Sequence, residues 1–145
     1  MANPVNVKLI SLNNDMTFVA KSNSGHFTLF DAKEEVGGNG AAATPIEIVL
    51  EALGGCQGMD TLAILKKKRI SFAHLDIELK GERAEEHPKV YTDIHMVFTL
   101  YSNDGDKALK SLERAIQLSN DKYCSVAAML KGNVNITFEA QVLPE

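Results

Sequence analysis

Cys56 and Cys124 are the only cysteines in this chain and the residues best suited to chemistry. A thiolate is a nucleophile and a metal ligand, and two thiols can close a disulfide. The two lie 68 residues apart, too far for a CxxC redox motif or a zinc knuckle. Joint chemistry therefore demands a fold that brings two separate elements face to face. By residue type alone each cysteine also reads as a small apolar side chain in a packed helix, because free cysteines are commonly buried. A functional thiol needs surroundings that stabilise the thiolate.

The element that positions Cys56 is the clearest in the sequence. Thr44, Pro45 and Glu47 form a capping-box signature at the start of a helix. Ile48, Leu50, Ala52, Leu53, Cys56, Met59, Leu62, Ala63 and Leu65 come after it, with apolar residues nearly all round. Such a helix is expected to be central and buried on several sides. Gly54, Gly55 and Gly58 each cost about 1 kcal/mol of helix propensity relative to Ala. Close approach of another backbone or helix beside Cys56 is the expected compensation. For Cys124, Asp121 is expected to cap a short helix that Gly132 ends. The thiol then falls in the first turn, where the helix dipole favours a thiolate.

The remaining elements frame these two. Val5–Ile10, Met16–Lys21 and His26–Phe30 read as a meander of three strands joined by Asn- and Gly-bearing turns. Gly37-Gly38-Asn39-Gly40 forms the flexible part of a loop. Ala73–Lys80 alternates apolar and polar with a period of two, and Val90–Leu100 does so in part. Lys107–Leu118 is an amphipathic helix broken from the preceding strand at Asn103-Asp104-Gly105, and Asn133–Leu143 is a last strand. The order βββ-α-ββ-α-α-β predicts an α+β chain of antiparallel type, a single domain over residues 1–145.

Composition narrows the function classes. The chain has 145 residues, 45% hydrophobic, with a net charge of −4. Its densest basic patch, Lys66-Lys67-Lys68-Arg69, falls at a helix end, where cations offset the helix dipole. No aromatic residues interleave with it, so a nucleic-acid partner is not expected. Glu47, Glu51 and Asp60 interrupt the most apolar stretch, Ile46–Leu65, which argues for a core helix and against a membrane span. Two cysteines and no apolar signal core at the N-terminus predict a reducing cytoplasm, where a disulfide is transient and functional.

Several polar residues accompany the cysteines. Asp60 lies one helical turn after Cys56 and shares its face; it either perturbs the thiol or partners a buried hydroxyl or N–H group. Glu47 is a capping acid or a catalytic one, and Glu51 one turn later can face the same pocket or another subunit. His26, which comes after a tight turn, is the histidine of most interest for that pocket. His26, His74, His87 and His95 are scattered, without the clustering of a metal site. No metal and no cofactor is expected.

The segments Ala52-Leu53-Gly54-Gly55-Cys56 and Lys122-Tyr123-Cys124-Ser125-Val126 resemble the OsmC/Ohr superfamily, the osmotically inducible and organic hydroperoxide resistance proteins. Ser24-Gly25-His26, Gly81–Pro88 and Asn133–Thr137 agree with it. The resemblance spans nearly the whole chain and is strongest to the YhfA-like branch. It implies antiparallel sheets packed on central cysteine-bearing helices in an intertwined homodimer. It implies that Cys56 is a peroxidatic thiolate that becomes a sulfenic acid on attacking an organic hydroperoxide, that Cys124 resolves it as a disulfide, and that a dithiol restores both. In these peroxidases a glutamate at the helix start orients an arginine over the thiolate. The usual acidic position holds Ile46 here, and Glu47 aligns with the acid after it. The arginine itself, normally from the N-terminal strands, has no counterpart before Arg69. Lys8 and Lys21 are the cations of those strands, and Arg83 or Arg114 would have to enter by another route. Lysine lacks the planar fork of arginine. The other reading is therefore a non-catalytic module of the same fold that holds a small apolar or electrophilic ligand at its thiol.

Overall fold

A computed structural model describes residues 3–145. The chain divides into two compact units, Met1–Val49 and Leu50–Glu145.

In the first unit, β1 (Val7–Ser11), β2 (Phe18–Ser22) and β3 (Phe27–Phe30) form the expected antiparallel meander in the order β1-β2-β3. Lys8 and Lys21 stand opposite one another across β1 and β2. All five positions of β1 are exposed, and Val7, Leu9, Ile10, Phe27 and Leu29 present apolar surface. After β3 the chain is organised by Asp31, a buried carboxylate. It accepts the backbone N–H groups of Ala32, Asn39 and Ala41 and the hydroxyl of Thr17. Those donors hold its carboxyl below the usual range, the Ala41 N–H contributing most. Gly38 is indispensable beside it: a Cβ there would collide with the Ala32 carbonyl group. The Gly-rich stretch is thus an ordered loop around a buried acid, where the sequence predicts flexibility.

Helix α1 (Pro45–Lys67) starts where the capping signature places it. The Glu47 carboxylate accepts both the Thr44 N–H and the Thr44 hydroxyl at 2.7 Å. Most of α1 lies in the second unit. Leu53, Gly54, Gln57, Gly58, Thr61 and Leu65 are buried, on one face only. Met59 is 72% exposed, so the expectation of burial on several sides is not met within this chain. By length and composition α1 is also long and apolar enough to cross a membrane; one face of it is buried in the fold.

The helix glycines have a different partner from the one expected. A Cβ on Gly54 would lie 2.8 Å from Leu79 Cδ1, and one on Gly58 would lie 2.9 Å from Ile77 Cδ1. Side chains of β4 (His74–Arg83), alternating at their period of two, occupy the space those glycines leave. Gly55 meets only Met59 of its own helix.

β4 pairs antiparallel with β5 (Tyr91–Tyr101), which occupies the centre of the second sheet, and Ile94, Met96, Phe98 and Leu100 of β5 are fully buried. β6 (Asn135–Leu143) lies on the other side of β5 and runs parallel to it. This corrects the expectation of purely antiparallel sheets. The chain between β5 and β6 holds α2 (Gly105–Leu118), a π-helical turn (Ser119–Tyr123) and α3 (Ser125–Leu130). Such a long helical crossover returns the chain to the end of the sheet where β5 began, so the next strand runs the same way. Helix α2 buries Ala108, Leu112, Ala115 and Ile116 at helical spacing and packs on β6. It begins at Gly105 (φ 52°), and the carboxylate of its N-cap residue, Asp104, accepts the Ser71 N–H at 2.9 Å and makes no capping bond to the helix.

Candidate functional site

Cys56, half-buried on α1, shares a face with Asp60 one turn on. Cys124, 3% exposed, arrives from the end of the π-helical turn. The two sulfurs and an Asp60 carboxylate oxygen all lie within 4.8 Å of one another. The fold thus brings two thiols 68 residues apart to one point.

Two cross-links hold the π-helical turn to α1. The buried Ser119 hydroxyl donates to Asp60 Oδ2 at 2.8 Å, and Gln57 Nε2 donates to Asn120 Oδ1 at 3.2 Å. Lys131 braces the same turn from the other side, donating to the Asn120 carbonyl at 2.5 Å. The extra residue in a π-type turn shifts the next residues out of α-helical register. Here the displaced residue is Cys124, with extended backbone (φ −70°, ψ 106°). Among the described residues, Gln57 Oε1 and Thr61 Oγ1, both buried on α1, have no hydrogen-bond partner.

Cys124 differs from its sequence expectation. Asp121 lies inside the π-helical turn, and Cys124 is itself the N-cap of α3, its sulfur accepting the Ala127 N–H at 3.2 Å. That N–H favours the thiolate, but burial and a hydrogen bond with Cys56 outweigh it and push the thiol up to about 11. Removal from water wins over the dipole of a one-and-a-half-turn helix. Cys124 is therefore a neutral thiol at physiological pH, able to donate S–H to Cys56.

The other candidates have local surroundings of their own. Glu47 is engaged with Thr44, whose N–H and hydroxyl, aided by Lys33, hold its carboxyl low. Glu51 is exposed. His26 bonds to Ser24 Oγ at 3.1 Å. His74 stacks on Tyr101, and His95 bonds to Thr137 Oγ1 at 2.8 Å. Lys21 places its ammonium over the Phe27 ring. Asp60 also lines a cleft of about 260 Å³ with Ala63, Ile64, Lys67, Leu118 and Tyr123. A larger cleft of about 350 Å³ is lined by Ser102, Asp106, Leu109 and Leu143 among others, and neither cysteine lines either cleft.

The sequence profile of the OsmC-like protein family matches residues 37–139, a span that contains both cysteines and Asp60. The chain belongs to the OsmC-like family. It is 40% identical over 128 residues to Protein YhfA of Escherichia coli (strain K12), covering 88% of this chain and 91% of that one. A solved structure of a hypothetical protein from Aquifex aeolicus superposes with a TM-score of 0.76 at 33% identity, over 98% of this OsmC-like chain and 99% of that one. An organic hydroperoxide resistance protein from Legionella pneumophila superposes with a TM-score of 0.71 at 14% identity, over 98% and 99% of the two chains. That last likeness shows a shared OsmC-like fold.

Sequence reasoning missed Ser119, Asn120 and the π-helical turn. The available signal was Asp60: a carboxylate in the middle of an apolar helix needs a donor, and Ser119 is the buried hydroxyl that supplies it.

Proposed function

We propose that this protein reduces organic hydroperoxides through Cys56 and Cys124, as a homodimer in the cytoplasm. The supporting observation is the cluster itself: one half-buried thiol, one buried thiol held in its protonated form, and a carboxylate, all within 4.8 Å. The Cys56 thiolate attacks the distal oxygen of ROOH, the O–O bond breaks, and RO⁻ leaves to take a proton as the alcohol. Cys56 is then a sulfenic acid. The protonated Cys124 sulfur closes on it, forming the S–S bond and releasing water. An external dithiol reduces the disulfide by exchange and returns both thiols.

The organic part of the substrate has a place in the cleft beside Asp60, whose walls of Ala63, Ile64, Leu118 and Tyr123 suit an alkyl or aryl group. Glu47 contributes by fixing the start of the helix that carries Cys56. Lys8 and Lys21 are the cations of the N-terminal strands, the region where the family's arginine is normally found, and they are the substitutes to test for steadying the thiolate. Dimerisation is supported by the exposed apolar residues of β1 and β3 and by Met59 and Met129, 72% and 80% exposed.

A specific observation favours the second reading, a thiol-bearing binding module without turnover: the N-terminal strands carry no arginine. Steady-state reduction of cumene hydroperoxide with a dithiol separates the two. The peroxidase reading predicts turnover that is lost in Cys56→Ser; a protein that is alkylated by electrophiles but consumes no hydroperoxide is the binding module.

A further inference from the structure

The arrangement of Cys56, Asp60 and Cys124 matches a second kind of chemistry. Two sulfurs each about 2.3 Å from a tetrahedral zinc ion stand about 3.8 Å apart. The three ligand atoms here, none more than 4.8 Å from another, close onto such an ion with shifts of about an ångström. We propose that the reduced protein binds a thiophilic divalent cation of the zinc type through Cys56 Sγ, Cys124 Sγ and one Asp60 carboxylate oxygen, with the fourth position open to water.

Two of the three ligands already have the supporting bond that a metal ligand needs. The Ser119 hydroxyl holds Asp60 Oδ2, leaving the other oxygen for the metal. The Ala127 N–H donates to Cys124 Sγ, partly neutralising a coordinated thiolate. Cys56 and Asp60 are one helical turn apart on α1, so a single helix face sets two of the three ligands. Two sulfurs and one oxygen are a donor set that selects zinc or cadmium over magnesium or calcium. The ligands come from α1 and from the N-cap of α3, which is why no zinc spacing is visible in the sequence.

Binding exchanges protons for metal without a change of oxidation state. The ion displaces the proton of each thiol that still carries one, two at most, forms two metal–sulfur bonds and one metal–oxygen bond, and releases those protons to solvent. The metal then occupies both sulfurs, so the bound form neither reacts with a hydroperoxide nor closes the disulfide.

The test is a titration of the reduced protein with Cd²⁺ alone, read by the ultraviolet sulfur-to-metal charge-transfer band. The expected result is one Cd²⁺ per chain, with a band that disappears in Cys56→Ser and in Cys124→Ser. Asp60→Asn is expected to weaken binding at least tenfold, and Ser119→Ala about 10–100-fold, the usual loss for an outer-shell partner. Circular dichroism of each variant identifies loss of fold, and alkylation of wild type is expected to be blocked at both cysteines by Cd²⁺. A missing charge-transfer band, a band that survives loss of either cysteine, or unchanged affinity in folded Asp60→Asn overturns the proposal. No hydroperoxide enters the experiment, so its failure is distinct from failure of the peroxidase reading.

Discussion

The Ser119 hydroxyl donates to Asp60 Oδ2 at 2.8 Å, and this bond ties the turn that delivers Cys124 to the helix that carries Cys56. The two residues are 59 positions apart in sequence, yet they fix the separation of the two thiols.

Ser119→Ala leaves the Asp60 oxygen without its donor and opens a small gap at a fully buried position. The expected loss is about 1–2 kcal/mol of stability, the worth of a hydrogen bond to a charged group that is partly exposed. Urea denaturation of wild type and variant measures it. Disulfide closure after peroxide treatment is expected to slow as well, because the turn is no longer anchored.

The helix and strand pattern, the capping box and both cysteines were legible in the sequence because each rests on local signals. Thr44, Pro45 and Glu47 are neighbours, and their geometry is set by the helix they start. The illegible features are non-local. Cys124 as a cap depends on a π-helical turn whose stability comes from Asp60 and Gln57 on another helix. The parallel β5–β6 pairing depends on where a long crossover returns. The glycines of α1 announced a close neighbour but not its identity, since Leu79 and Ile77 are contributed by a separate strand further along the chain.

Cys56 is predicted to be the thiol that alkylates first. With Cys124 pushed up to about 11, only about 0.1% of it is thiolate at pH 8, and burial slows reagent access further. Brief iodoacetamide treatment at pH 8 should label Cys56 at least tenfold more than Cys124 by peptide mass spectrometry. The raised value also carries a stability signature. Above the ordinary thiol range the unfolded chain releases this proton while the folded chain keeps it, so folding weakens as pH rises toward about 11. Cys124→Ser should lack that part of the alkaline decline.

At the acid end the sign reverses. Asp31 and Glu47 are both held low by backbone N–H donors, Ala41 and Thr44 first. The unfolded chain takes up these protons before the folded one does, so stability is fully present above the ordinary carboxylate range and falls as pH drops through the lowered values. Asp31→Asn should shrink the acid-side slope in a denaturant series between pH 6 and pH 3.

Gly38→Ala is predicted to be far more damaging than Gly58→Ala. The first methyl meets the Ala32 backbone carbonyl, which has nowhere to go, and the loop around Asp31 must rearrange. The cost is about 3 kcal/mol, the upper end of overpacking. The second meets the flexible end of Ile77 and gains about 1 kcal/mol of helix propensity, so the two effects nearly cancel. Thermal melts of the two variants measure the difference.

In the peroxidase reading Cys56 is oxidised by an organic hydroperoxide and Cys124 resolves it. The most direct measurement is mass spectrometry of single-turnover samples treated with one equivalent of cumene hydroperoxide, with a sulfenic-acid trap present. Wild type should lose two hydrogens as the Cys56–Cys124 disulfide forms, and Cys124→Ser should carry the trap on Cys56 alone. Trap on Cys124 in place of Cys56 would reverse the roles, and two unmodified thiols in folded wild-type protein would contradict the claim.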